Sequence, residues 1–98
     1  MTRRGTVVVM YDAPAHADAW MHGPHYDEVK RTPGVTDVRR YEVVEGPEGC
    51  RRYVALIESD DVDATVAWRS SPDGQRSQAE ANARGVGNRL SMVCKRIY

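Results

Sequence analysis

The spacing of apolar positions changes repeatedly along this chain, and each change marks an element. TVVVMY (Thr6–Tyr11) is short, rich in β-branched residues and closed by Asp12-Ala13-Pro14, which predicts a first strand. From Ala15 to Thr32 the apolar residues Ala17, Trp20, Met21 and Val29 fall at helical spacing, and Pro33-Gly34 stops the run. Pro24 lies inside it, where proline removes a backbone donor and crowds the preceding turn. A kink at Gly23-Pro24, or two short helices joined there, is expected. VTDVRRYEVV (Val35–Val44) returns to a loose alternation, Gly46-Pro47-Glu48-Gly49 reads as a turn, and RRYVALIE (Arg51–Glu58) as the next strand, so the two predict a hairpin. Ser59-Asp60-Asp61 starts a helix over VDATVAWRS, with acids in the first turn where the dipole favours them. Ser71-Pro72 reads as a second N-cap with proline at the first helical position. That helix is weak in large apolar residues and ends near Arg84-Gly85, after which LSMVCKRIY (Leu90–Tyr98) predicts a last strand.

The order is β-α-β-β-α-β, an α+β chain of the ferredoxin-like plan with a four-stranded antiparallel sheet. Two crossover helices cover one face of such a sheet, so its strands should alternate apolar and polar residues. The first and third strands do not. Val7, Val9 and Tyr11 oppose Val8 and Met10, and Tyr53, Ala55 and Ile57 oppose Val54 and Leu56. Both faces need cover, and a second copy of the same sheet is the simplest cover for the second face, which predicts a face-to-face homodimer. A monomer whose open face is a ligand groove would show the same pattern.

Composition narrows the function classes. The 98 residues suit one domain spanning 1–98, with a core small enough to make oligomerisation attractive. Lys+Arg and Asp+Glu are equal at 14, which argues against a nucleic-acid or anionic-membrane surface. All the basic residues except Lys30 and Lys95 are arginine, and Phe is absent. No apolar run approaches the roughly 20 residues of a membrane span. The short apolar run near the start leads into a charged, proline-containing segment rather than a cleavage site, so a soluble cytoplasmic protein is expected. Cys50 and Cys94 fit no metal or redox spacing and read as free thiols. No cysteine pair accompanies the histidines as a zinc site would require.

The opening of the first helix, with Trp20, His25, the exit Pro33-Gly34-Val35 and the strand pair Arg40-Tyr41, resembles the dimeric α+β barrel superfamily and, within it, the EthD-like proteins. The likeness in element order covers nearly the whole chain. The likeness in motif runs from Trp20 to Tyr41, with Pro24 before His25 where the family has a proline just after its histidine. Relatives of this fold include aromatic polyketide cyclases, muconolactone isomerase-like enzymes, cofactor-free quinol monooxygenases and haem-degrading enzymes. The resemblance therefore implies a small, aromatic or polyketide-like substrate, but a fold does not fix a reaction.

His25 is the leading candidate for chemistry, because histidine titrates nearest neutral pH and passes a proton either way. A helix histidine bonded to a neighbouring backbone group would read identically. His22 lies one turn earlier and ranks second; His16 reads as surface. A metal pair of His22 and His25 would want a third ligand, and no facial triad or HExxH spacing is present. A helix histidine could ligate haem by family analogy, with no second sign in the chain, so no cofactor is expected.

Tyr11, Tyr41 and Tyr53 sit on or at the ends of strands. On the face away from the helices they would line a central cavity, offering a flat wall and a hydroxyl to an oxyanion. Ordinary half-buried strand aromatics would look the same. Tyr26, Trp20 and Trp68 complete the candidate substrate contacts, the two tryptophans being core residues by default. Arg40 could bind a carboxylate or phenolate, or pair with Glu42 or Glu58. The arginine pairs invite an RNA reading, but RRYVALIES lacks the glycine-containing aromatic motif that reading needs. The expectation is a homodimeric enzyme acting by acid/base chemistry, by isomerisation, cyclisation or dehydration, on a small hydrophobic molecule. A non-catalytic ligand-binding protein is the alternative, and a cofactor-free monooxygenase stands behind both.

Overall fold

A computed structural model describes residues 2–98. They form strands β1 (Gly5–Asp12), β2 (Val35–Glu42), β3 (Tyr53–Ser59) and β4 (Gly87–Cys94). The α-helices are α1 (Asp18–His22), α2 (Pro24–Lys30), α3 (Val62–Ala67) and α4 (Pro72–Ala83), with 3-10 turns at Ala15–Ala17 and Trp68–Ser70. The sheet runs β2-β3-β1-β4 with every neighbouring pair antiparallel. This is the ferredoxin-like arrangement, with both crossovers on one side of the sheet.

The local signals act as their chemistry dictates. Gly23 takes φ −112° and ψ −98°, its N–H still bonded to the Ala19 carbonyl at 3.2 Å, and Pro24 opens α2. A proline at the first helical position loses no bond that a helix would have made there, so the first crossover is two short helices rather than one kinked one. Asp61 caps α3 by accepting from the Ala64 N–H, and Ser71 caps α4 by accepting from the Gly74 N–H. Gly34, at φ +85°, passes so close to β3 that a Cβ would lie 2.7 Å from the Ser59 hydroxyl and the Asp61 carbonyl. The Ser59 and Thr65 hydroxyls bond at 2.7 Å, and Thr65 also donates to the Pro33 carbonyl, tying the β2 entrance to α3.

Strand boundaries depart from expectation in β2, which ends at Glu42 rather than Val44, and in β3 and β4. β4 spans Gly87–Cys94 rather than Leu90–Tyr98, because its pairing to β1 runs only from Asp12↔Gly87 to Thr6↔Cys94. Lys95 to Tyr98 find no strand to pair with and leave the sheet. β3 starts at Tyr53, where its pairing to both Tyr11 and Glu42 begins.

Register assigns the two faces, since paired residues share a side. Val7, Val9 and Tyr11 lie with Ile57, Ala55 and Tyr53, and with Val38 on β2; Val7, Tyr11, Val38 and Tyr53 are buried under the helices. Val8, Met10, Val54 and Leu56 share the other face with Leu90, Met92 and Tyr41, and no helix covers them. Leu90, Met92 and Tyr41 are exposed.

The helix layer itself is lean. The residues that α4 buries are Gly74, Ser77 and Ala81. At Gly74 a Cβ would collide with the Trp68 carbonyl oxygen and the Arg69 backbone, so the start of α4 is pressed onto the 3-10 turn before it. Gly→Ala inside a helix ordinarily gains about 1 kcal/mol. Here the clash reverses the sign: Gly74→Ala is expected to destabilise by ~1–3 kcal/mol, lowering the thermal midpoint by roughly 5–15 °C in a calorimetric or circular-dichroism melt.

Candidate functional site

The lean α4 leaves space. Between the helices and the inner face of the sheet lies a cavity of about 300 Å³. Val7, Val9 and Ile57 form its floor, Ser77, Gln78 and Ala81 of α4 its roof, and His25 and Val29 of α2 one wall. Thr65, Trp68 and Arg69 close another side, with Arg89 and Ser91 of β4 opposite. The surface is chiefly aliphatic, and no aspartate or glutamate lines it.

His25 is placed on this wall by the break at Gly23-Pro24, which starts α2 afresh. Its imidazole stacks on the buried Trp20 indole, ring centroids 4.5 Å apart and planes 21° from parallel. The Arg84 guanidinium lies over the same indole at 4.9 Å. His25 Nδ1 is buried without a hydrogen-bond partner. The bland alternative, a ring satisfied by backbone, is thus not what this nitrogen does. A buried unpaired polar atom costs about 1–3 kcal/mol. Burial pushes the imidazole pKa below its usual 6.5, and nearby Arg40 and Arg89 push the same way against Glu28 and Glu80. At neutral pH His25 is therefore an uncharged base.

A second pocket, of about 270 Å³, opens where α1 meets β2 and β3 and is bounded by Asp18, His22, Arg40, Tyr41, Glu42 and Tyr53. Arg40 organises it. Its Nε donates to the Tyr11 hydroxyl at 2.6 Å, its Nη1 lies 3.1 Å from His22 Nδ1, and its guanidinium sits over the rings of Tyr11 and Tyr53. Burial raises the Tyr11 pKa despite the cation, so the phenol stays protonated. The alternative considered for Arg40, pairing with Glu42 or Glu58, is not found: Glu42 meets Arg52, and Glu58 accepts from Thr6.

The candidates are thus divided. His25 and Trp68 reach the cavity, with Trp20 behind His25. His22, Arg40, Tyr41 and Tyr53 bound the second pocket, so the two histidines do not share a site. Tyr26 borders neither and carries the Lys30 ammonium 5.4 Å above its ring; His16 is exposed.

The expectation that tyrosines line a cavity on the face away from the helices is corrected. Tyr11 and Tyr53 lie on the helix-covered face, stacked on each other at 5.5 Å in the core, and Tyr41 shares the outer face at 49 % exposure. No tyrosine lines the larger cavity. Its location follows instead from the small residues of α4. Arg69, Arg89, Ser77 and Gln78 were not singled out in the sequence; the missing bulk on α4 was a signal for the space, though not for the arginines beside it.

No family model matches this chain, and no curated protein matches it. Solved structures do. An EthD family protein from Bacillus halodurans C-125 superposes with a TM-score of 0.70 at 17 % identity, covering 97 % of this chain and 100 % of its own. SnoaB, a cofactor-independent oxygenase from Streptomyces nogalater crystallised as a mutant, gives 0.72 at 15 % identity over 97 % and 94 %. A dimeric ferredoxin-like protein from Jannaschia sp. CCS1 gives 0.67 at 18 % identity over 96 % and 100 %. The likeness is one of fold, and it bears out the ferredoxin-like α+β architecture that the element order and the Trp20–Tyr41 motif led us to expect.

Among the described residues no helix is long and apolar enough to cross a membrane, and Cys50 and Cys94 are free thiols.

The depressed His25 pKa has a measurable consequence. Unfolded, the imidazole takes up its proton near pH 6.5; folded, it does so only at lower pH. Its contribution to stability is present above that value and is lost as pH falls toward the folded pKa. Histidine-resolved NMR is expected to show His25 titrating below 6.5, and wild type should lose stability on acidification more steeply than His25→Phe. Equal slopes would place the imidazole in solvent.

Proposed function

We propose that this chain is a cytoplasmic small-molecule enzyme in which His25 moves a proton on or off a hydrophobic, aromatic or polyketide-like ring substrate held in the cavity beneath α4. The observation that carries this reading is a neutral imidazole in the wall of an apolar cavity. Removing an acidic C–H proton and returning it elsewhere needs a positioned base and exclusion of water. Trp20 stacks on the ring, and Val7, Val9 and Ile57 give the cavity an aliphatic floor. Isomerisation, cyclisation or dehydration fits this equipment. The likeness to a cofactor-independent oxygenase supports a second reading with the same first step. There the carbanion would react with dioxygen, a ring methylene becoming a carbonyl with release of water.

A homodimer completes the proposal. The outer sheet face carries Val8, Met10, Val54, Leu56, Leu90 and Met92 without cover, and a matching face on a second copy is what this surface fits. Dimeric ferredoxin-like proteins stand among the solved structures of this fold.

Deuterium exchange into an enolisable aromatic ketone such as 2-tetralone tests the proton step without knowledge of the natural substrate. His25→Gln is expected to slow it by about 10²–10⁴-fold while ketone binding changes little. Exchange unaffected by the substitution would remove His25 from the chemistry. Binding without any exchange by wild type would favour a ligand-binding protein, and oxygen uptake the second reading. Sedimentation is expected to show a wild-type dimer and a monomer for the Leu56→Glu/Met92→Glu variant. A wild-type monomer would sink the face-to-face assembly.

A further inference from the structure

We infer that the cavity is built for a ring substrate bearing a carboxylate, with Arg69 and Arg89 as the two arms that hold it. The inference rests on the cavity reading above and adds the chemical class of its occupant.

The two arginines come from separate elements, the 3-10 turn after α3 and the inner side of β4, and both line the cavity. Each is satisfied only by a neutral group. Arg69 Nη2 donates to the Ser91 hydroxyl at 2.9 Å, and Arg89 Nη1 donates to the Asn82 side-chain oxygen at 2.6 Å. Six of the other ten arginines meet carboxylates: Arg3 meets Asp63, Arg4 Asp60, Arg39 Asp37, Arg52 Glu42, Arg76 Glu28 and Arg84 Glu80. Among the described residues no such ion pair includes Arg69 or Arg89. Guanidinium does not discharge by losing its proton in proteins, so both stay cationic at the cavity, Arg69 half-buried and Arg89 at its exposed rim.

The rest of the lining supplies no anion. Two cations face a cavity with no acidic side chain, and its one titratable neighbour, His25, is neutral. An occupant with an apolar body and one negative group would satisfy the aliphatic floor and both guanidiniums together. Arginine's planar fork suits a carboxylate, to which it can give two parallel bonds. Arg89 is near enough to His25 to act on its charge state. Clamp and base would therefore address the same molecule, the arginines fixing one end and the imidazole reaching a proton farther along the ring.

A matched pair of probes separates charge from shape: 2-naphthoate and its neutral isostere 2-naphthamide, titrated calorimetrically at neutral pH. Wild type is expected to prefer the acid by at least about tenfold, as charged hydrogen bonds warrant. The preference should fall with added salt, and to about twofold or less in Arg69→Gln/Arg89→Gln, with amide affinity unchanged. Equal wild-type affinity for acid and amide would overturn the clamp while leaving the His25 reading intact. An acid preference that persists in the folded double variant would overturn it as well. If neither probe binds, the clamp fails and the cavity reading fails with it. Should the double variant not fold, the wild-type ratio and its salt dependence decide alone.

Discussion

Gly74, Ser77 and Ala81, the residues that α4 turns inward, are too small to fill the space above Val7, Val9 and Ile57. Interiors of proteins are otherwise close-packed, and empty volume costs stability in proportion to its size. The chain holds the gap open by anchoring its margins. At one end Tyr11, Tyr53, Trp20 and Met21 form a tight aromatic cluster with Val86. At the other, Ser59, Thr65 and the Pro33 carbonyl are joined by short hydrogen bonds beside the fully buried Val62. The volume deficit is thus bracketed by well-packed ends rather than spread through the core.

The break at Gly23-Pro24 decides what that cavity contains. In one continuous helix His22 and His25 would lie a turn apart on a common face. Restarting the helix at Pro24 separates them: His22 is drawn to Arg40, whereas His25 lies flat against Trp20 with one nitrogen buried. Pairing with Arg40 keeps the first histidine in a polar, charged setting. Desolvation keeps the second uncharged. A single proline thus gives two identical side chains different surroundings.

Much of the fold was legible because its punctuation is chemical. Asp61 and Ser71 cap the helices they precede, Pro24 divides the first crossover, and the alternation of β1 and β3 gives their faces correctly. The end of β4 was not legible, since a strand stops where its partner does and Lys95 to Tyr98 carry no local sign of that. Alternation also identifies which residues share a face, but not which face the helices choose when both are apolar. For that reason the sequence left open whether Tyr11 and Tyr53 line an open face or lie under the helices. Arg69 and Arg89 were hidden for a different cause: a lone arginine reads as surface until its neighbours are known to lack a carboxylate.

The two central strands have no idle side. On β1 and β3 the inward residues Val7, Val9, Ala55 and Ile57 meet the cavity or the core, and the outward residues Val8, Met10, Val54 and Leu56 form the bare apolar sheet. In most half-solvated sheets every second position can drift freely under selection. Here neighbouring codons answer to different surfaces, so variation among descendants of this chain should gather on β2, on the Val43–Arg52 turn and on the tail. The middle of the sheet should change slowly, and in pairs.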